Sequence, residues 1–130
     1  MASFLNAIVP SLALSNELDV NALSRDAAVV QAYVADPLVH DRISVRMYNE
    51  GAAAAAYALS HAEYLKMPVL LAHGRADRIT NCEGTRTFFD HAGSIDRTLK
   101  IYDGLYHEIH NEPEQKIVIH DMIHWIEKHL

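Results

Sequence analysis

The feature that most constrains this chain is the apolar run PVLLAH at residues 68 to 73, which the polar segment GRADRIT follows at once. The run has the length of a strand, and its lack of alternation is typical of a strand covered on both faces of a sheet. Residues 98 to 102, TLKIY, alternate in polarity and contain β-forming side chains. They predict a second strand.

Helical patterns surround these two strands. Thr80 and Glu83 have the spacing of a capping box at the start of a helix that Gly93 closes, and Pro113 suits the N-terminus of a last helix. The apolar residues of that last helix share one face: Ile119, Met122, Ile123, Ile126 and Leu130. The order strand, helix, strand, loop, helix predicts two parallel strands of an α/β sheet.

The first half of the chain has a different character. Residues 1–66 are predicted to form helices and connectors without a convincing strand, and residues 67–130 form the βαβα part. We expect Ser24 to cap a helix that ends at DPL, residues 36 to 38, because a residue before proline avoids the α region. A long, alanine-rich helix is expected from about Ile43 to Tyr64.

Composition excludes several partner classes. The formal charge of -6 and the scattered basic residues argue against nucleic acid as a partner. Cys82 is the only cysteine, so an intrachain disulfide is impossible and a reducing compartment is favoured. The first fifteen residues lack a basic start and contain Asn6 and Pro10, and no apolar run reaches the roughly 18 residues of a membrane helix. We therefore expect a cytoplasmic protein without a signal peptide.

Two candidate catalytic residues follow the two strands. Asp77 comes four residues after the first strand and His107 five residues after the second. If the strands are parallel neighbours, both side chains lie at the same edge of the sheet. An acid that orients an imidazole supplies two of the three parts of a hydrolytic triad. The residues alone also allow a plainer interpretation, in which Asp77 caps a turn and His107 is a surface histidine.

Several segments resemble one known family. VLLAHGRADRIT and LKIYDGLYHEIHNE resemble the C-terminal signature of the monoacylglycerol lipase and lysophospholipase branch of the α/β-hydrolases, which overlaps the serine aminopeptidase S33 family. LNAIVPSLAL, LSRDAAVVQAY and DPLV resemble the lid of that branch and its return to the sheet. The resemblance covers essentially the whole chain. It implies the C-terminal half of a hydrolase: a helical lid, then the last two parallel strands and two helices.

The same resemblance implies the chemistry. Asp77 would be the triad acid and His107 the general base of an enzyme that hydrolyses lipid-like esters, such as monoacylglycerols or lysophospholipids, without a cofactor. Ile79 and Tyr33 would contact the substrate. FLNAIVPSLAL, residues 4 to 14, would cover an acyl chain and touch lipid surfaces as a peripheral contact. A plain core helix is the alternative for that segment.

The nucleophile is absent from this sequence. None of the five glycines belongs to a G-x-S-x-G elbow, where the serine of such enzymes sits. We therefore expect no esterase turnover from the chain alone. Because a two-stranded sheet leaves unpaired edges, we also expect the chain to pair with a separate N-terminal half or to self-associate. A truncated, non-catalytic relative that dimerises or acts as a scaffold is the alternative.

The histidines raise a metal-binding alternative. His107 and His110 are three residues apart, and His120 and His124 are four apart on a predicted helix. A solvated polar face explains the second pair without a metal, so we expect no metal site. His73 is expected to be a packing residue at the strand end, and His110 a loop partner of His107.

Overall fold

A computed structural model of the protein describes residues 6 to 130, and the predicted lid residues Phe4 and Leu5 lie outside that range. The strands and α-helices follow in chain order: β1 Ala13–Ser15, α1 Ala27–Ala35, β2 Arg42–Ser44, α2 Val45–Ser60, β3 Val69–Gly74, α3 Cys82–His91, β4 Arg97–Tyr102 and α4 Gln115–Glu127. Short turns of 3-10 helix lie at Val20–Ala22, Ala62–Tyr64 and Ile109–Asn111.

Strands β3 and β4 are parallel neighbours, as the sequence predicts. Their register runs from Val69 opposite Arg97 to Gly74 opposite Tyr102. Helix α3 makes the crossover between them, which is the connection that parallel strands require. Both strands end at the same edge, so the loops that follow them start side by side.

A second small sheet corrects the prediction for the first half of the chain. Strand β1 pairs antiparallel with β2, Ala13 opposite Ser44 and Ser15 opposite Arg42. The prediction of no strand before residue 66 was wrong because strands of three residues are too short to show a period. The long helix begins at Val45 instead of Ile43, since the Ser44 hydroxyl caps it.

The caps of helices α1 and α3 are also different from those predicted. The side chains of Asp26 and Asn81 accept backbone N–H groups from the first turns of α1 and α3. Ser24 and Thr80, the expected caps, form other contacts. The Ser24 hydroxyl donates to the carbonyl of Asn111 at 2.9 Å, and Thr80 bonds to the loop that precedes α3. Each predicted cap lies within two residues of the observed one.

Helix α4 packs on the sheet through a face that matches the predicted one only in part. Val118 is fully buried with Leu105 and Ile109, and Met122 packs against this core. The Trp125 indole N–H donates to the Thr98 hydroxyl at 3.2 Å. The predicted face is rotated about the helix axis by one residue, or about 100°, from the face that is buried. Three of its isoleucines are 40% to 50% exposed: Ile119, Ile123 and Ile126.

Strand β3 has less cover than its sequence predicts. Its residues from Val69 to His73 are only half-buried, although their pattern is that of a strand covered on both faces. Within residues 6–130 the sheet that contains β3 has two strands, so it has two open edges. None of the helices described is long and apolar enough to cross a bilayer.

Gly74 lies where the two loops meet, and the requirement for glycine at this position can be tested. A Cβ at this position would collide with the carbonyl groups of Leu105 and Tyr106. We expect Gly74→Ala to lower the free energy of unfolding by about 1–3 kcal/mol, measured by urea denaturation. Gly51→Ala is the control, because a Cβ on Gly51 meets no atom within 4 Å in the exposed interior of α2. It should raise the same free energy by about 0.5–1 kcal/mol. Equal stability of the two variants would contradict the close packing at Gly74.

Candidate active site

The turn after β3 is organised by the side chain of Asp77. The backbone N–H of Asp77 donates to the Gly74 carbonyl at 3.3 Å. Its carboxylate oxygen Oδ1 accepts the N–H groups of Ile79 at 2.7 Å and Thr80 at 3.0 Å. An aspartate that bonds to backbone groups two and three residues ahead fixes a tight turn by itself. The turn-capping interpretation of Asp77 therefore describes the geometry of Oδ1.

The other carboxylate oxygen contacts the second candidate residue. Asp77 Oδ2 lies 2.9 Å from His107 Nδ1, which belongs to the loop after β4. The two loops are also joined through their backbones, Arg75 N–H to the Tyr102 carbonyl at 2.9 Å and Ala76 N–H to the Leu105 carbonyl at 3.0 Å. Residues thirty positions apart thus meet at the edge where β3 and β4 end.

The contact fixes the tautomer of His107. An ionised carboxylate only accepts hydrogen bonds, so the ring nitrogen that faces it carries the proton and donates. In the neutral ring, Nε2 is then left with a lone pair. No residue of the described range forms a hydrogen bond with this nitrogen, and the side chain of His107 is 36% exposed. A group placed next to Nε2 could therefore give it a proton.

Asp77 is held in its ionised form. Its side chain is only 1% exposed. Burial alone raises the pKa of a carboxyl group, but hydrogen bonds from His107, Thr80 and Ile79 outweigh it and lower the pKa of Asp77 to about 2. At neutral pH the carboxylate is therefore charged, which favours an imidazolium at His107 when that ring accepts a proton.

A second imidazole contacts the same carboxylate, and sequence analysis missed it. His73 Nε2 lies 3.0 Å from Asp77 Oδ2 and 3.3 Å from the Thr80 carbonyl, so it donates. His73 Nδ1 lies 2.7 Å from the Thr85 hydroxyl. The Thr80 hydroxyl also donates to Asp77 Oδ2, at 2.7 Å. The expectation that His73 only packs at the strand end was wrong, because its ring is a polar partner of the acid.

The predicted substrate contacts line neighbouring cavities. Ile79, two residues after the acid, lines an open cavity of about 390 Å³ with Leu18 and Arg78. Tyr33 lines another, of about 180 Å³, that also includes Leu18. The two side chains line different cavities here, and Leu18 borders both. Their contact with substrate stays a prediction.

The arginines that flank Asp77 have other partners. Arg75 pairs with Asp103, and both side chains are more than half exposed. Arg78 lies 3.3 Å from the carboxylate of Asp19 and its guanidinium is 5.0 Å from the centre of the Tyr106 ring. Both are exposed turn residues.

The metal alternative gains no geometric support. Across residues 6–130, no group of three or more histidine, cysteine, aspartate or glutamate side chains could hold a metal ion. The rings of His120 and His124 lie 6.2 Å apart on the exposed side of α4. His110 is exposed in the turn Ile109–Asn111, and no bond joins it to His107 in that part of the chain.

The low pKa of Asp77 makes a pH-dependent contribution to stability. Because the pKa of Asp77 in the folded state, about 2, lies below its ordinary value of 3.8, the contribution is complete above about pH 5 and is lost as pH falls toward 2. Its size is of the order of 2 kcal/mol. We expect Asp77→Asn to reduce the free energy of unfolding at pH 6, and the difference from wild type to shrink as pH falls.

Urea denaturation at a series of pH values measures this difference. Asp103→Asn is the matched control, because Asp103 follows β4 but its side chain is 81% exposed in an ion pair with Arg75. Its unfolding free energy should stay within about 0.5 kcal/mol of wild type at every pH. A constant difference between Asp77→Asn and wild type from pH 6 to pH 2 would contradict the assignment.

Comparisons with known proteins agree with the fold and with the segments that resemble hydrolases. The family model described as serine aminopeptidase, S33 matches residues 1–114. A monoacylglycerol lipase from Mycolicibacterium smegmatis is 42% identical to this chain. The match covers all of this chain and 46% of the length of that lipase. A human monoglyceride lipase is 34% identical over 96% of the chain and 42% of its own length.

Solved structures of lipases with the same names also match this chain. The crystal structure of the Paleococcus ferrophilus monoacylglycerol lipase superposes with a TM-score of 0.95 at 40% identity, over 99% of this chain and 51% of that one. A soluble variant of the Saccharomyces cerevisiae monoglyceride lipase, solved with a substrate analog, gives 0.88 at 27% identity, over 98% and 45%. The chain spans about half the length of these relatives. It belongs to the serine aminopeptidase S33 family and has part of the α/β-hydrolase fold.

Proposed function

We propose that this chain supplies the acid and the base of a serine carboxylic ester hydrolase that acts on lipid-like esters. The observation that carries the proposal is the hydrogen bond between Asp77 and His107, with His107 Nε2 left as a proton acceptor. The relatives named monoacylglycerol lipase and monoglyceride lipase support the substrate class. A relative named as a phospholipase, from Bacillus subtilis, keeps lysophospholipids among the candidates.

In the proposed reaction, a serine from a segment outside this sequence approaches His107. The serine oxygen bonds to the ester carbonyl carbon while its proton passes to Nε2, and the bond to the leaving alcohol then breaks as Nε2 returns that proton to it. Water then attacks the acyl-enzyme while Nε2 takes its proton, and Nε2 returns that proton to the serine oxygen as the carboxylic acid product leaves. Asp77 orients the imidazole and stabilises its charged form throughout. No step requires a metal or an organic cofactor.

The proposed acyl side of the site is the surface near Ile79 and Tyr33. Both side chains border cavities lined in part by residues 16–20, which come just after the lid segment, residues 4 to 14. Apolar side chains of that segment are exposed, among them Ile8, Leu12 and Leu14. Their exposure suits a surface that meets an acyl chain or the face of a lipid layer. We propose a peripheral membrane contact through this segment, in a protein of the cytoplasm.

The serine has to come from a segment outside this sequence, and two exposed surfaces of the chain suit contact with such a segment. The open edges of the β3–β4 sheet leave backbone groups unpaired, and the exposed isoleucines of α4 form an apolar stripe. We propose that an N-terminal half of the same fold adds strands and covers this stripe. Self-association through the same surfaces is the alternative partner.

A non-catalytic dimerising or scaffolding module is the second candidate function. The exposed stripe Ile119, Ile123 and Ile126 favours it, since such a stripe can pair two copies of the chain. A scaffold, however, has no use for an imidazole aligned on a buried carboxylate. Substitution of His107 separates the two candidates, because it should abolish turnover in a hydrolase and leave the association of a scaffold unchanged.

The chain alone should not hydrolyse esters. We expect no turnover of a p-nitrophenyl ester or a monoacylglycerol above background, because no serine of this sequence lies in a G-x-S-x-G elbow. Addition of a hydrolase N-terminal half that contains a G-x-S-x-G elbow should produce turnover. Turnover by the chain alone, lost in His107→Ala, would contradict the need for a second chain. A complemented enzyme whose activity survives His107→Ala would contradict the role of His107 as the base.

In the complemented enzyme, Asp77→Asn should lower kcat by about 10⁴-fold, because the amide favours the wrong tautomer of His107. Asp103→Asn is the control and should leave kcat within about twofold, since Asp103 pairs with Arg75 at the surface. Steady-state kinetics on one ester measures both. The opposite result, a loss in Asp103→Asn and none in Asp77→Asn, would assign the acid to Asp103.

A further inference from the structure

The most deeply buried charged side chain of the described residues is Glu112, which the proposed chemistry does not use. Glu112 is 0% exposed and follows the turn Ile109–Asn111 that ends the His107 loop. Removing a carboxylate from water costs several kcal/mol unless hydrogen bonds and an opposite charge compensate. The partners of Glu112 therefore indicate what its burial achieves.

Those partners lie on two separate segments. Glu112 Oε1 accepts the backbone N–H of Tyr106 at 2.7 Å, and Tyr106 is the residue before His107. Glu112 Oε2 accepts from Arg25 Nε at 2.8 Å, and the backbone N–H of Arg25 lies 3.4 Å from both oxygens. One carboxylate thus joins the loop that carries the base to the segment that precedes α1.

Further bonds run along the same two segments. The backbone N–H of Glu108 donates to the Leu23 carbonyl at 2.8 Å, and that of His107 to the Ala22 carbonyl at 3.5 Å. Ala22, Leu23 and Ser24 are all buried. The backbone of residues 22–25 therefore forms one wall of the His107 loop, and Glu112 is the charged group at the centre of that contact.

We propose that Glu112, paired with Arg25, is a positioning residue for His107: it fixes the loop against residues 22–25 so that the imidazole meets both Asp77 and the nucleophile. Asp77 holds one ring nitrogen but cannot fix the loop backbone. The hydrogen bond from Tyr106 N–H to Glu112 fixes the loop backbone one residue before His107. This inference rests on the proposed function, because the nucleophile comes from outside this sequence.

The test uses Glu112→Gln, with Glu114→Gln as its matched control. Both glutamates bond to Arg25, but the side chain of Glu114 is 42% exposed and, among residues 6–130, bonds only to the guanidinium of Arg25. The amide of Glu112→Gln keeps an acceptor for Tyr106 N–H and places a donor against a donor of Arg25. In the complemented enzyme, we expect Glu112→Gln to lower kcat by up to about 100-fold with KM little changed. Glu114→Gln should match wild type.

A second readout needs no turnover. Two-dimensional NMR of the chain follows the His107 Nδ1–H proton, which the bond to Asp77 shifts downfield and protects from exchange. We expect this resonance to broaden or move upfield in Glu112→Gln and to persist in Glu114→Gln. Arg25→Lys, which keeps the charge but lacks the Nε–H donor, should give an intermediate effect and serves where Glu112→Gln fails to fold.

The outcomes separate the two proposals. An unchanged kcat per folded molecule and an unchanged resonance in Glu112→Gln would overturn the positioning role. So would a loss of kcat equal to the loss of folded protein, measured by circular dichroism. If the wild-type complemented enzyme shows no turnover, the proposed function fails, and the resonance alone then decides the role of Glu112.

Discussion

The parallel pairing of β3 with β4 is the interaction on which the rest of the structure depends. Its register ends with Gly74 opposite Tyr102, so both chains leave the sheet at the same level. From there, two residues of loop separate Gly74 from Asp77 and four separate Tyr102 from His107. A shift of register would move the carboxylate and the imidazole apart by about 3.3 Å for each residue. The geometry of the Asp77–His107 pair is thus a consequence of strand pairing.

Asp77 joins local folding to chemistry through its two oxygens. Oδ1 accepts hydrogen bonds from the N–H groups of Ile79 and Thr80 and so forms the turn. Oδ2 accepts hydrogen bonds from the rings of His73 and His107. The turn-capping and catalytic interpretations of this residue therefore describe different atoms of one side chain. A carboxylate fixed by its own turn requires little reorganisation when charge develops on the imidazole, which is how preorganised groups stabilise transition states.

The sequence predicted the elements whose signals are local. β3 and β4 were found from an apolar run and an alternating run, and Asp77 and His107 from their positions after these strands. The strands β1 and β2 were missed because three residues carry no periodicity. His73 lies only four residues from Asp77, but an apolar strand pattern does not show that its ring contacts that carboxylate. Glu112 was missed because its partner Arg25 is distant in sequence. Arg25 is 87 residues from Glu112, and no local pattern marks either of them. A buried carboxylate is visible only when the fold is known.

Helix α4 shows how far this chain completes its own fold. Two apolar faces lie about 100° apart on it, and only the face with Val118 is buried against the sheet. The Asp77–His107 pair, by contrast, is held by contacts from within the chain: the turn that Asp77 builds, residues 22–25 and the loop after β4. Its geometry therefore does not depend on the surfaces that remain open. A partner that covered the isoleucines and paired with a free strand edge could supply a nucleophile without rebuilding the acid and the base.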